Sequence, residues 1–404
     1  MFQFTNGEPM PSLLIPAIGL PSGEHISDAR LFVVALVALA GCVIWQGFLA
    51  WRHRRALHSI PVRIHVAGTR GKSTTTRLIA AALRASGRRV VAKTTGSEPQ
   101  LILPDGRDEI WPRRGPATIR EQTGVVRRAA QLGADTIVVE CMAIRPEFVF
   151  ASERHLIAAT TTVITNTRAD HLEDIGESSE ASTQALAWSI CANGQLVVSA
   201  EAASPILLAR AQARGTAVTI VDTAGLDPIA ADRALALAVA TAHGVPIPIA
   251  KPAMEVAALD PGSFHERVLT IEGKPVRFAN AFSCNDVDSL KLLWPTVATS
   301  ERPVVLLNAR SDRPLRTQRF LAFLAAQVPV PLLFVVGDPL APRLARHAGF
   351  GPDAVRRLRA RLPDSALREL AAFAPSGGVI WGVGNYQGFG ARLTAELAGR
   401  DASC

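Results

Sequence analysis

The run Gly68-Thr69-Arg70-Gly71-Lys72-Ser73-Thr74 follows a short β-prone stretch, Ile64 to Ala67, and leads into a helix-compatible segment. That order is what a phosphate-binding loop requires. Glycines let backbone N–H groups converge on phosphate oxygens, and a helix N-terminus adds the positive end of its dipole. Lys72 can reach the β- and γ-phosphates of a nucleotide, and the Ser73 hydroxyl can ligate Mg²⁺. The loop is short. The common pattern sets its first glycine five positions before the second, and here that position is Val66, leaving G-x-x-G-K-S.

Other reactive side chains also stand at the ends of apolar runs. Glu140 closes Asp135-Thr136-Ile137-Val138-Val139. An acid at the carboxyl end of a parallel strand, beside a phosphate loop, is well placed to bind Mg²⁺ directly or through water. Thr165-Asn166-Thr167-Arg168-Ala169-Asp170-His171 follows a similar run. His171 as neutral imidazole can ligate a second divalent ion, with Asp170 orienting it. Lys93-Thr94-Thr95-Gly96 sets an ammonium and two hydroxyls where a phosphate or carboxylate can lie. Asn280 to Asp286 reads as a strand followed by a polar turn, and Gly382 to Gly388 as a glycine turn after a strand. The chain has no plausible Ser/His/Asp set and no zinc-spaced cysteines.

The elements that must position these groups alternate. Strands are predicted at Val62–Ala67, Arg89–Lys93, Thr136–Glu140, Thr161–Asn166, Gln195–Ser199, Ala217–Val221, Val304–Asn308, Pro331–Val336 and Gly378–Val383. Helices are predicted at Thr75–Ser86, Ile119–Leu132, Glu180–Ile190, Ala230–Ala242, Leu315–Ala326 and Gly388–Ala398. Such alternation implies parallel α/β sheets covered on both faces, and 404 residues allow two or three domains. The Pro/Ser/Thr-bearing stretch from Trp294 to Pro303 is the best candidate boundary. Leu31 to Trp51 is almost wholly apolar, long enough to span a bilayer core, and Arg52-His53-Arg54-Arg55 follows it. The positive-inside rule then sets residues 1–30 outside and the chain after 52 in the cytoplasm. The five scattered cysteines suit a reducing compartment. A net charge of +8 is carried in separate arginine clusters without interleaved aromatics, which argues against nucleic acid. Solvated faces, membrane contact or an acidic substrate fit better.

Together, the short loop, the strand-end Glu140 and Asn166-x-x-x-Asp170-His171 resemble the Mur ligase superfamily, whose enzymes join a carboxylate to an amine using ATP. The likeness is closer to one branch, the poly-γ-glutamate synthase ligase subunits (PgsB or CapB). It is carried by Arg70, Lys93-Thr94-Thr95-Gly96, Arg114-Gly115-Pro116, Glu121-Gln122, Glu140 to Ala143, Asn285-Asp286, Asn308 to Arg313 and Gly382 to Asn385. The resemblance implies an α/β fold: a Mur-ligase-like P-loop ATPase domain (61–298) and a smaller Rossmann-like carboxy-terminal α/β domain (299–404). One transmembrane helix (31–51) and a basic linker (52–60) would precede them. By the same resemblance, Gly68 to Thr74 would bind ATP phosphates, with Lys72 catalytic and Ser73 on Mg²⁺ (or Mn²⁺). Glu140 and His171 would serve catalysis and hold divalent ions, Asn285 would approach the nucleotide, and Arg310 and Asp312 would close over it. Lys93, Thr94 and Thr95 would meet the substrate. The implied partners are glutamate, the growing poly-γ-glutamate chain and a polytopic subunit in the bacterial inner membrane. Two departures stand out. No lysine lies between Lys93 and Lys251, so the carbamylated lysine of many Mur ligases is absent, and Arg267 stands too late in its segment to receive a role. Rival readings are another Mur-type amino-acid polymer ligase, or a membrane-tethered ATPase that forms no covalent bond.

Overall fold

A computed structural model of the chain describes residues 28–96, 99–113, 115, 117–168, 178–259, 263–284, 286–297 and 302–401. These fall into two compact units, Met1–Arg54 and Arg55–Cys404. Helix α1 (Asp28–His58) supplies all the described structure of the first unit. Within its stretch Arg30–His58 an 18-residue apolar window has mean hydropathy 2.3, and none of that window is buried. By length and composition this helix can cross a membrane.

The second unit is built on two sheets. The first contains β1 (Val62–Ala67), β2 (Val90–Thr94), β3 (Gln100–Ile102), β4 (Asp108–Ile110), β5 (Thr136–Glu140), β6 (Thr161–Ile164), β7 (Gln195–Ser199) and β8 (Ala217–Val221). Their spatial order is β4-β3-β2-β5-β1-β6-β7-β8. All pairings are parallel except those of β3, which runs antiparallel to both β2 and β4. The β-branched runs of β1, β5 and β6 are buried on both faces, as a doubly covered parallel sheet demands. Helix α2 (Lys72–Ala85) lies on one face, where Leu78, Ile79, Ala82 and Leu83 share a core with Leu235, Ala236 and Val239. β1 is central. The loop that leaves it therefore emerges between the carboxyl ends of β5 and β6.

The second sheet comprises β9 (His265–Ile271), β10 (Lys274–Asn280), β11 (Val304–Ala309), β12 (Leu332–Gly337), β13 (Val355–Arg357) and β14 (Val379–Gly384), ordered β13-β12-β11-β14-β10-β9. It is parallel except for the β9–β10 hairpin, whose two-residue turn holds both Glu272 and Gly273 at positive φ. That is the backbone of the turns that match strand twist. Cores cover both faces, one around Trp381 and Phe320, the other around Phe278, Phe334 and Leu393.

Every strand of the predicted alternation is present to within two residues at its ends, whereas the strand read at the start of Asn280 to Asp286 instead ends at Asn280. β3, β4, β9, β10 and β13 are additional. The second sheet begins at His265, so the stretch from Trp294 to Pro303 lies between two of its strands, and both β9 and β10 precede residue 298.

Candidate functional site

The loop between β1 and α2 can form only because two of its positions carry no side chain. Gly68 sits at φ 128, where a Cβ would lie 2.0 Å from Thr165 Oγ1. Gly71 sits at φ 76, where a Cβ would lie 2.2 Å from Asp232 Oδ1. Gly71 also caps α2, and the first helical bond runs from Thr75 N to Gly71 O (2.9 Å). The N–H groups of Lys72, Ser73 and Thr74 therefore stand at the open positive end of the helix.

Asn166, just beyond β6, holds the loop's other side. Its Oδ1 accepts from Thr69 Oγ1 (2.5 Å) and Arg70 N (3.1 Å), and its Nδ2 donates to Arg70 O (3.1 Å). Thr69 N donates in turn to Asn166 O (3.1 Å). Lys72 Nζ reaches Thr69 O (3.2 Å) across the loop.

Glu140 ends β5 beside this loop and is 4% exposed. A single oxygen, Oε2, accepts from Ser73 Oγ (2.7 Å) and from Thr95 N (2.6 Å). Oε1 accepts no hydrogen bond among the described residues. A hydroxyl and a carboxylate with one open oxygen form a hard-oxygen donor pair, which suits Mg²⁺ or Mn²⁺ more than a soft metal. Among the described residues no three His, Cys, Asp or Glu side chains gather into a metal cluster. The expected second ligand His171, its neighbour Asp170, and Asn285 lie outside the described residues.

Behind Thr95 lies a group of charges with Lys93 buried among them. Lys93 is 2% exposed, donates to Thr94 O (2.9 Å) and approaches Glu121 Oε2 (3.8 Å). Arg113 grips the same carboxylate through Nε (2.7 Å) and Nη2 (3.2 Å). Burial lowers the Lys93 ammonium to about 8, and the attraction of Glu121 offsets only part of that. Deeper still, His65 on β1 faces Glu153 (3.3 Å). Burial disfavours the imidazolium, yet Cys141 and Glu153 outweigh it and raise the group to about 10.

A cleft of about 470 Å³ joins these parts to the second sheet. The phosphate loop, Thr95, Arg113 and Glu140 line one side, and Arg310, Arg313, Arg316 and Asn385 to Gln387 line the other. Arg310 is held by Asp312 through Nε (2.8 Å) and Nη2 (2.6 Å), and also donates to Gln387 Oε1. Asp312 itself is outside the lining, as are Lys93 and Thr94. Arg70 Nε pairs with Asp286 Oδ2 (2.6 Å), and Asp286 also caps the helix Val287–Leu293 by accepting from Ser289 N (2.7 Å).

Two participants carried no usable sequence signal: Asp232 under Gly71, and Arg316 opposite the loop, whereas Arg313 stood in the Asn308 to Arg313 run that carries the family likeness. Each lies in an ordinary helical or polar stretch. The loop-stapling role of Asn166 was half visible, since its strand-end position was plain but its partners were not.

The family profile of the Mur ligase middle domain matches residues 66–229, and that of the poly-gamma-glutamate synthase CapB C-terminal domain matches residues 266–400. The chain is 32% identical over 364 residues to the PGA synthase CapB of Bacillus subtilis (strain 168), covering 86% of this chain and 92% of that protein. It is 31% identical over 306 residues to the capsule biosynthesis protein CapB of Bacillus anthracis, covering 72% of this chain and 66% of that one. A solved bifunctional folylpolyglutamate synthase/dihydrofolate synthase with Mn, AMPPNP and L-glutamate bound superposes with a TM-score of 0.63 at 20% identity, covering 87% and 93%. That last likeness concerns the fold.

Proposed function

The chain belongs to the CapB branch of the Mur ligase superfamily, ATP-dependent carboxylate–amine ligases, and from that premise we propose that it extends poly-γ-glutamate by activating a glutamate γ-carboxylate as an acyl phosphate. The observation that carries the reading is the two-sided cleft. A phosphate loop with its metal-compatible Ser73–Glu140 pair faces Arg310, Arg313 and Arg316 across about 470 Å³. A switch protein needs only the first wall. A ligase must also hold an anionic acceptor and a carboxylate in line with the γ-phosphate.

A carboxylate is a poor electrophile at neutral pH. In the proposed reaction its oxygen attacks the γ-phosphorus and ADP leaves. The amine of the second substrate then attacks the acyl carbon and loses a proton. The tetrahedral oxyanion collapses, and inorganic phosphate is expelled. Lys72 and the N–H groups of Lys72 to Thr74 would hold the phosphoryl oxygens, and charge placed in advance is what lowers such a barrier. A divalent ion held by Ser73 and Glu140, which we assign as Mg²⁺, would neutralise phosphate charge there. Lys93 and Arg113 would draw the carboxylate toward Thr95. Arg310, oriented by Asp312, would meet the nucleotide or the acceptor from the opposite wall; Asn285 would approach the nucleotide, and His171 would be a further ion ligand. The apolar helix would anchor the chain at the inner membrane with these groups in the cytoplasm, beside a polytopic subunit that exports the polymer.

The deciding experiment measures ATP turnover in purified membranes with and without glutamate, with mass spectrometry of the product. Glutamate-dependent phosphate release together with γ-linked polymer is expected. Hydrolysis that ignores glutamate and makes no polymer would overturn the ligase mechanism proposed here.

A further inference from the structure

The second sheet carries a cavity that the chemistry above leaves unused. It has a volume of about 1000 Å³ and lies at the β13 edge, lined by Arg356, Arg357, Arg359, Arg361 and Arg392. Glu369 is the one acid in its lining, and that carboxylate is turned to the backbone, where it accepts from Arg359 N (3.1 Å) and Ala360 N (2.9 Å). All five arginines are exposed, and none forms an ion pair among the described residues. Two are braced from beneath: Arg356 lies 4.4 Å over Phe373, and Arg392 lies 5.3 Å over Phe389. Guanidiniums lining one space without carboxylate partners repel one another unless an anion joins them.

The cavity is also next to the cleft. Asn385 to Gln387 line the cleft, and Phe389 and Arg392, two and five residues further along, line the cavity. Gly337 of the cavity pairs in the sheet with Ala309, and the residue after Ala309 is Arg310 of the cleft. The two spaces therefore lie near the same end of the second sheet.

Resting on the ligase reading above, we infer that this arginine-lined cavity holds the growing poly-γ-glutamate chain behind its reacting end. Each γ-amide bond consumes a γ-carboxylate and leaves an α-carboxylate free, so the product is a regular polyanion. Separate guanidiniums spaced around a cavity suit that ligand. Each contact is weak and screened by salt, and several together retain a chain. An anionic membrane is the other polyanion at hand. It fits less well, because the arginines line a cavity together with the buried Phe334 and Phe389, and a planar lipid surface does not enter a cavity.

The test uses the full chain purified in detergent and fluorescent poly-γ-glutamate as the probe, read by equilibrium binding, so that it does not depend on turnover. The variant Arg357→Gln/Arg359→Gln/Arg361→Gln should weaken polymer binding at least tenfold and flatten its salt dependence. Arg154→Gln/Arg319→Gln/Arg343→Gln removes the same charge elsewhere and should leave binding within twofold. Arg392→Gln alone, with a melting temperature like the parent, guards against a folding defect in the triple variant and should weaken binding about threefold. Equal polymer binding by the cavity variants and the control overturns the inference. So does a loss seen with anionic phosphatidylglycerol vesicles but not with polymer. If the parent binds polymer through these arginines yet makes none from ATP and glutamate, the ligase reading fails and the cavity assignment stands.

Discussion

Lys72 is the residue whose loss should cost most for the least structural change. Its ammonium sits 3.2 Å from Thr69 O at the rim of the cleft and supports no core. Lys72→Ala is therefore expected to lower ATP-dependent glutamate incorporation at least a hundredfold, with a melting temperature within about 2 °C of the parent, both measurable on the detergent-solubilised chain. Lys93 calls for a different measurement. Its proton leaves near pH 8, so the cation is present below that value and lost as pH rises through it. If that charge draws glutamate in, KM for glutamate should climb severalfold between pH 7 and 9, and Lys93→Arg should remove the climb. A flat KM in the parent would take Lys93 out of substrate binding. The linkage runs the same way for stability. The unfolded chain holds this proton more tightly than the folded one, so from about pH 8 upward the parent should gain stability relative to Lys93→Met.

At the scale of elements, the glycines of the loop decide whether β1 can turn into α2 at all. Gly68→Ala would push a methyl to 2.0 Å from Thr165 Oγ1 at a φ that L-residues rarely adopt. Strain of about 1–3 kcal/mol plus the displaced strand end should lower the melting temperature and abolish ATP binding together, as calorimetry with a nonhydrolysable nucleotide would show. This loop was legible in the sequence because glycine spacing, a β-branched run and a lysine–serine pair all report on adjacent residues. The parallel strands were legible for the same reason. β3, β4 and β13 were not, because three residues carry no measurable alternation. The β9–β10 hairpin hid behind a Glu-Gly turn, in which a non-glycine residue takes a positive φ that composition does not announce. Asp232 hid for another reason. It meets Gly71 only through tertiary packing of the helix Pro228–Ala242 on α2.

For the whole second unit, the Arg70–Asp286 pair ties the phosphate loop to the segment that leads into the remainder of the second sheet. Both side chains are under one-fifth exposed, at 18% and 17%. Partly solvated pairs of this kind contribute about 1 kcal/mol or less to stability. Asp286→Asn should therefore barely move the unfolding midpoint, whereas KM for ATP should shift severalfold. A large loss of stability with unchanged KM would make the pair a simple brace. The two walls of the cleft are also far apart along the chain. Gly68 supplies one and Gln387 the other. A ribosome adds roughly 5–20 residues each second, so a nascent chain displays its phosphate loop many seconds before the opposing turn exists. Even that loop is not held until Asn166 and Asp232 have followed it out, and the wall around Asn385 to Gln387 arrives later still.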